Sequence, residues 1–157
     1  GSRYGRRPRA TLSRLARALL LCLERRPVFP LARCPLPHSY FRYSTFALRS
    51  LLGLGFNICL GPDSLASNGD LGLFAEMRQL WKTEPSLRAD EIRETVTINP
   101  AAALAQAGRL GRIRAGFQAD MVAVASSGSG QVEEIIGFSE NVPFAMIAGE
   151  ILKSTKA

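Results

Sequence analysis

The sequence has little histidine, little cysteine and no long apolar run. A single histidine, His38, stands in 157 residues. A catalytic zinc centre takes about three protein ligands, so one histidine cannot build the usual imidazole-rich site alone. Cys22, Cys34 and Cys59 are an odd number with no CxxC pair. That speaks against a disulfide framework or a zinc ribbon and fits a reducing, cytoplasmic setting. No stretch approaches the ~20 apolar residues of a membrane span, so no membrane partner is expected. No internal repeat is visible.

Acidic residues are scarce in one place only. Residues 1–37 hold nine arginines against one acid, Glu24, a balance of +8 where the whole chain carries +7. The rest is therefore near neutral, at −1. With little aromatic interleaving and no recognisable module, a nucleic-acid partner is not expected. A hydrophobic content of 46% and a charged content of 21% are those of a globular protein. The length suits one ordinary domain and falls short of the ~250 residues of a complete (β/α)8 barrel.

The basic segment, residues 1–33, differs in kind from the rest of the chain. Leu12, Leu15, Ala16, Leu19, Leu20 and Leu23 fall at helical spacing with Arg14 and Arg17 among them. Three readings stand side by side. One is a basic amphipathic helix on an anionic surface. Another is a transit-type leader. The third is a segment foreign to the fold, such as a GC-rich gene read out of frame yields. The chain opens Gly1-Ser2 without Met, as a fragment or a cloning scar would.

From Cys34 the pattern becomes orderly. Cys34 to Phe41, with Pro35 and Pro37, reads as a proline-punctuated loop. Phe46, Leu48, Leu51 and Leu52 place a helix over 45–54, stopped at Gly55. Phe56 to Leu60 is a short apolar strand, predicted over 57–60. Leu71, Phe74, Met77, Leu80 and Trp81 mark an amphipathic helix capped by Asn68 or Asp70. A further helical region runs from Pro85 to Val96. Asn99-Pro100 predicts a helix over 100–107, with Asn as cap, ending at Gly108. Met121–Val124, Val132–Ile136 and Ala145–Ile147 read as short strands, with a turn at Ser126–Gly130.

The most informative residue is Asp63. Gly61-Pro62-Asp63 comes directly after the strand, and in α/β barrels catalytic groups are displayed just past the carboxyl ends of strands. Its plainer reading is a helix cap. The plainer reading of His38 is a loop histidine bonded to a backbone carbonyl.

Three blocks carry a resemblance. One runs from Cys34-Pro35 to Phe41 and through Leu60-Gly61-Pro62-Asp63-Ser64-Leu65-Ala66-Ser67-Asn68 to Leu73-Phe74-Ala75-Glu76-Met77-Arg78. Another is Thr95 to Leu104, around Ile98-Asn99-Pro100-Ala101. The last is Gly108-Arg109-Leu110-Gly111 through Gly116-Phe117-Gln118-Ala119-Asp120-Met121-Val122, with Ile147 to Ile151. In order and spacing, residues 34–157 resemble the carboxyl-terminal part of the amidohydrolase superfamily. The branch is that of the chlorohydrolases and the guanine and aminofutalosine deaminases.

The resemblance implies an α/β fold: the last one or two βα units of a TIM barrel over 34–108, then part of a small β-sandwich over 109–157. It implies metal-dependent hydrolysis or deamination of C–N bonds other than peptide bonds, in a small ring amine or amide. Asp63 would be both metal ligand and catalytic acid–base group, His38 would contact substrate, and Asp120 would be structural. The cofactor of the intact family is Zn2+ or Fe2+. The remaining histidine ligands of that family have no counterpart here, and Pro62 stands where it usually has Thr. These departures lead to the expectation of a truncated, inactive enzyme that binds no metal alone. The alternatives are a non-catalytic fragment that docks on a copy of itself or on a complementing barrel fragment, or a basic surface-binding protein acting through residues 1–33.

Overall fold

A computed structural model describes residues 29–69 and 71–154. The helical pattern expected over residues 12–23 and the candidate cap Asp70 lie outside the described residues.

Two short parallel strands form the floor of the fold. Strand β1 (Pro30–Arg33) pairs in register with β2 (Asn57–Leu60), Pro30 opposite Asn57 and Arg33 opposite Leu60. Strand β2 is the one expected from the apolar run, and all four of its residues are buried. Strand β1 corrects the boundary drawn at residue 33. Four residues of the basic segment belong to the sheet, and Arg33 is only 6% exposed. Its guanidinium lies 3.2 Å from Glu84 and 4.2 Å from the centre of the Phe46 ring. The charge is thus paired inside the fold, although Nε and Nη1 of Arg33 are buried without a hydrogen bond. Burial lowers the Arg33 pKa, and the Glu84 carboxylate opposes that shift.

The crossover between the strands holds α1 (Pro35–Tyr40) and α2 (Leu48–Gly53). Where the prolines suggested a loop, α1 is a helix. Pro35 at its start gives up an N–H that no helix would use, and its fixed φ is already helical. Past β2 come α3 (Leu73–Thr83), α4 (Ala89–Val96) and α5 (Ile98–Ala103). Helix α3 starts later than its apolar stripe suggested. Gly72 precedes it without a side-chain cap, and Leu71 is exposed. At the start of helix α4 the Glu91 carboxylate accepts from the Arg88 N–H at 2.8 Å. Asn99 is not a cap either. It lies inside α5, which Thr97 precedes and the left-handed Ala105 follows.

The small sheet has the order β3 (Met121–Ala123), β4 (Phe144–Ile147), β5 (Glu150–Ser154), all antiparallel. Ala148 and Gly149 turn the β4–β5 hairpin with φ of 52° and 85°, as a tight two-residue turn requires. Asp120 holds that turn by accepting from the Ala148 N–H at 2.7 Å, the structural role the sequence suggested.

The strand expected over Val132–Ile136 is a helix, α6 (Gln131–Gly137). Its β-branched composition favours a strand, yet Val132, Ile135 and Ile136 recur at helical spacing and pack against one core. Tertiary burial overrides local propensity here. That core joins Leu48, Ile58, Leu60, Met77, Leu80, Leu87, Ile92 and Ile136. Among the described residues no helix is long and apolar enough to cross a membrane.

Candidate functional site

Parallel pairing brings the carboxyl ends of β1 and β2 to one edge. The Gly61 N–H donates to the Arg33 carbonyl at 3.1 Å, so the chain leaves both strands side by side. The segments beyond the strands carry Cys34 and His38 on one side and Asp63 on the other. No strand side chain is involved; the site consists of groups that lie just past the sheet.

Asp63 is exposed, on an irregular loop between β2 and α3. Its Oδ2 accepts from the Ser67 hydroxyl at 2.9 Å. It precedes α3 by ten residues, so it is not the cap of that helix. The carboxylate stands at the solvent side, aimed by one short contact from within its own loop.

His38 occupies the last turn of α1. Its ring meets Tyr43 edge-on at 5.7 Å and Phe46 at 6.3 Å. Tyr40, Phe41 and Tyr43 are exposed and continue this aromatic group. Among the described residues, no hydrogen bond or ion pair joins His38 to Asp63.

Glu76 joins the two segments. Its position on α3 is fully buried, on the face that also carries Leu73, Met77 and Leu80. One carboxylate oxygen accepts from the Leu36 N–H at 2.9 Å, the other from the Asn68 side-chain amide at 2.8 Å. Sequence reasoning missed this residue. The signal was available: a carboxylate three residues after Leu73 and four before Leu80 stands in an apolar stripe, and a buried charge must be bonded. The Cys34 thiol shares the enclosure. Its pKa is raised, first by burial and then by the Glu76 and Asp63 carboxylates.

The described residues do not fit a catalytic metal on their own. No group of three or more His, Cys, Asp or Glu side chains among them converges on one point. Asp63 supplies a single carboxylate, where about three protein ligands are needed. A groove of about 970 Å3 does open elsewhere, between α4 and the small sheet, with Ile98, Ile113 and Met146 on its walls. Asp63 is not among the residues that line it.

Comparison with known proteins identifies the family of the chain. Residues 9–152 match the model of the amidohydrolase family. A 5-methylthioadenosine/S-adenosylhomocysteine deaminase from Pyrococcus furiosus is 34% identical over 98 residues, covering 58% of this chain and 23% of that protein. A 5'-deoxyadenosine deaminase from Methanoregula boonei is 37% identical over 83 residues, covering 48% of this chain and 18% of that protein. Among solved structures, an adenosine deaminase from Xanthomonas campestris with bound zinc superposes with a TM-score of 0.75 at 25% identity, covering 97% of this chain and 41% of that one. An atrazine chlorohydrolase from Arthrobacter aurescens shares the fold, with a TM-score of 0.69 at 21% identity, over 78% of this chain and 31% of that one. The chain spans about a fifth of the length of the curated relatives it matches.

Proposed function

The chain belongs to the amidohydrolase family, and on that premise we propose that it forms the last βα units and part of the small sheet of a deaminase acting on a ring amine. The substrate class is an aminopurine of the adenosine type, which the names of the relatives favour. Water adds to the ring carbon that bears the amino group, the C–N bond breaks, and ammonia leaves. Asp63 takes the proton from the attacking water and returns it to the departing nitrogen, as a positioned carboxylate can. His38, with the aromatic group around it, lines the substrate side.

The observation that carries this reading is the place of Asp63. It is solvent-facing, directly past the carboxyl end of a buried parallel strand, and held by Ser67 at 2.9 Å. In barrel enzymes that is the catalytic end. In the complete assembly Asp63 is also one ligand of the metal, zinc or iron, whose other ligands lie outside the described residues. The rest of the barrel adds to the free edges of β1 and β2, which have no further strand partner among the described residues. It comes from more of the same polypeptide or from a second chain.

The test is Asp63→Asn in a chimera that places residues 29–154 on an intact barrel from a deaminase of this family. The amide keeps the Ser67 contact and the shape of the side chain, and loses the charge and the basicity. Turnover of aminopurine nucleosides should fall about 10²- to 10⁴-fold. Near-normal turnover would remove Asp63 from the chemistry.

A further inference from the structure

A buried carboxylate on the inner face of α3 is expensive where a leucine would pack at little cost, and it persists only when its oxygens are bonded. The bonds Glu76 makes are specific. Oε2 accepts from Leu36, in the first turn of α1, whose amide has no partner inside its own helix. Oε1 accepts from Asn68, in the loop after β2. Leu36 is two residues from His38. Asn68 follows Ser67, which holds Asp63. One turn along α3, the Gln79 amide reaches the Ser39 hydroxyl at 2.7 Å, so the same helix grips α1 twice. Ser67, Asn68 and Glu76 are all buried, so this linkage is shielded from water, and the low polarity there strengthens it.

We propose that Glu76 is a positioning residue that couples the His38 helix to the Asp63 loop, so that the two halves of the site hold one relative placement. Its consequence for chemistry rests on the deaminase reading above; the coupling itself does not. Glu76 touches no reacting atom in this proposal. It acts through its bonds to Leu36 and Asn68.

Exchange of donor and acceptor tests the idea on the chain as it is. Glu76→Gln keeps the volume but offers one acceptor where two donors wait, so one contact is lost. Asn68→Asp sets two carboxylates face to face. Combined, the two changes restore the match: the new amide oxygen accepts from Leu36 N–H, and the new amide nitrogen donates to the carboxylate introduced at position 68. Hydrogen exchange read residue by residue by NMR should show the Leu36 amide, residues 64–68 or both exchanging about 10- to 100-fold faster in each single variant. The double variant should return to within about threefold of the parent.

The Ile58 and Leu80 amides report global opening and must keep their protection for the effect to be local. Single variants that unfold beside a double variant that folds also support the coupling. A Glu76→Gln variant in which neither the Leu36 amide nor residues 64–68 exchange faster would overturn it. So would a double variant no better protected than Glu76→Gln alone, or one that fails to fold. None of these outcomes depends on turnover, so an inactive chimera would leave the coupling standing, and a lost coupling would leave the role of Asp63 untouched.

Discussion

Asn57 and Asn99 each donate a side-chain hydrogen bond across the joint between β2 and α5. The Asn57 amide donates to the Asn99 carbonyl at 2.7 Å, and the Asn99 amide donates to the Ile58 carbonyl at 2.8 Å. Asn57 is 8% exposed, so removal of either side chain strands a carbonyl with little water to replace it. Asn57→Ala and Asn99→Ala should each cost about 1–3 kcal/mol in urea unfolding. The double substitution should cost less than the two together, because both bonds cross one joint. Strict additivity would mean that the two bonds act independently.

Gly111 passes over the end of α4 where only a glycine fits. Its φ is 83°, and a Cβ added there would lie 2.6 Å from the Thr97 carbonyl oxygen. Backbone strain and overlap with an immobile main-chain atom act together, so Gly111→Ala should lose at least about 1–3 kcal/mol. Gly108→Ala is the matched control. Nothing lies within reach of its new methyl group, and its unfolding midpoint in urea should stay or rise slightly.

Glu91 makes stability depend on acid. Its carboxylate accepts from the Arg88 N–H and pairs with Arg49 at 3.3 Å and Arg88 at 3.5 Å. The backbone hydrogen bond from Arg88 is the main cause that holds its pKa below the ordinary value of about 4.5. A carboxylate depressed on folding contributes stability above its unfolded pKa, and that contribution is lost as pH falls through the folded value. Glu91→Gln keeps a capping acceptor and loses the charge. The parent should therefore be more stable by about 0.2–1 kcal/mol at neutral pH, with the gap closing below the ordinary carboxylate range. A gap that is flat from neutral to strongly acidic pH would assign it to packing instead.

Zinc binding by this chain alone should be weak. The sequence contains one histidine, and no ligand cluster forms among the described residues. Calorimetry should give no one-to-one site of sub-micromolar affinity. Such a site would show that residues outside the described ones complete the centre.

Local signals placed β2, the body of α3 and the loop between them that carries Asp63. The apolar run Phe56–Leu60 ends at Gly61-Pro62-Asp63, and burial of a strand between helices demands that pattern of side chains. The family blocks around Asp63, Asn99-Pro100 and Asp120 are equally local. Each is read from neighbours in the chain, and that is why the structural role of Asp120 is legible without its partner Ala148.

Other features depend on residues distant in sequence. Arg33 reads as the end of a solvated basic leader until Glu84 and Phe46 close around it. Val132–Ile136 has strand composition, and only the core contributed by Met77, Leu80 and Ile92 made its helical face the one to bury. The caps expected at Asn68 and Asn99 went instead to Glu76 and to the Ile58 carbonyl, because an amide satisfies the donor or acceptor that folding brings nearest.

What the sequence by itself determined is the chemistry on offer: a carboxylate past an apolar strand and a single histidine. Only the tertiary structure decided how those pieces are held. Periodicity and turn chemistry report on neighbours within a few residues. The contacts that join the His38 helix to the Asp63 loop span 40 residues from Leu36 to Glu76 and 8 from Asn68 to Glu76, and they exist only once the chain has closed on itself.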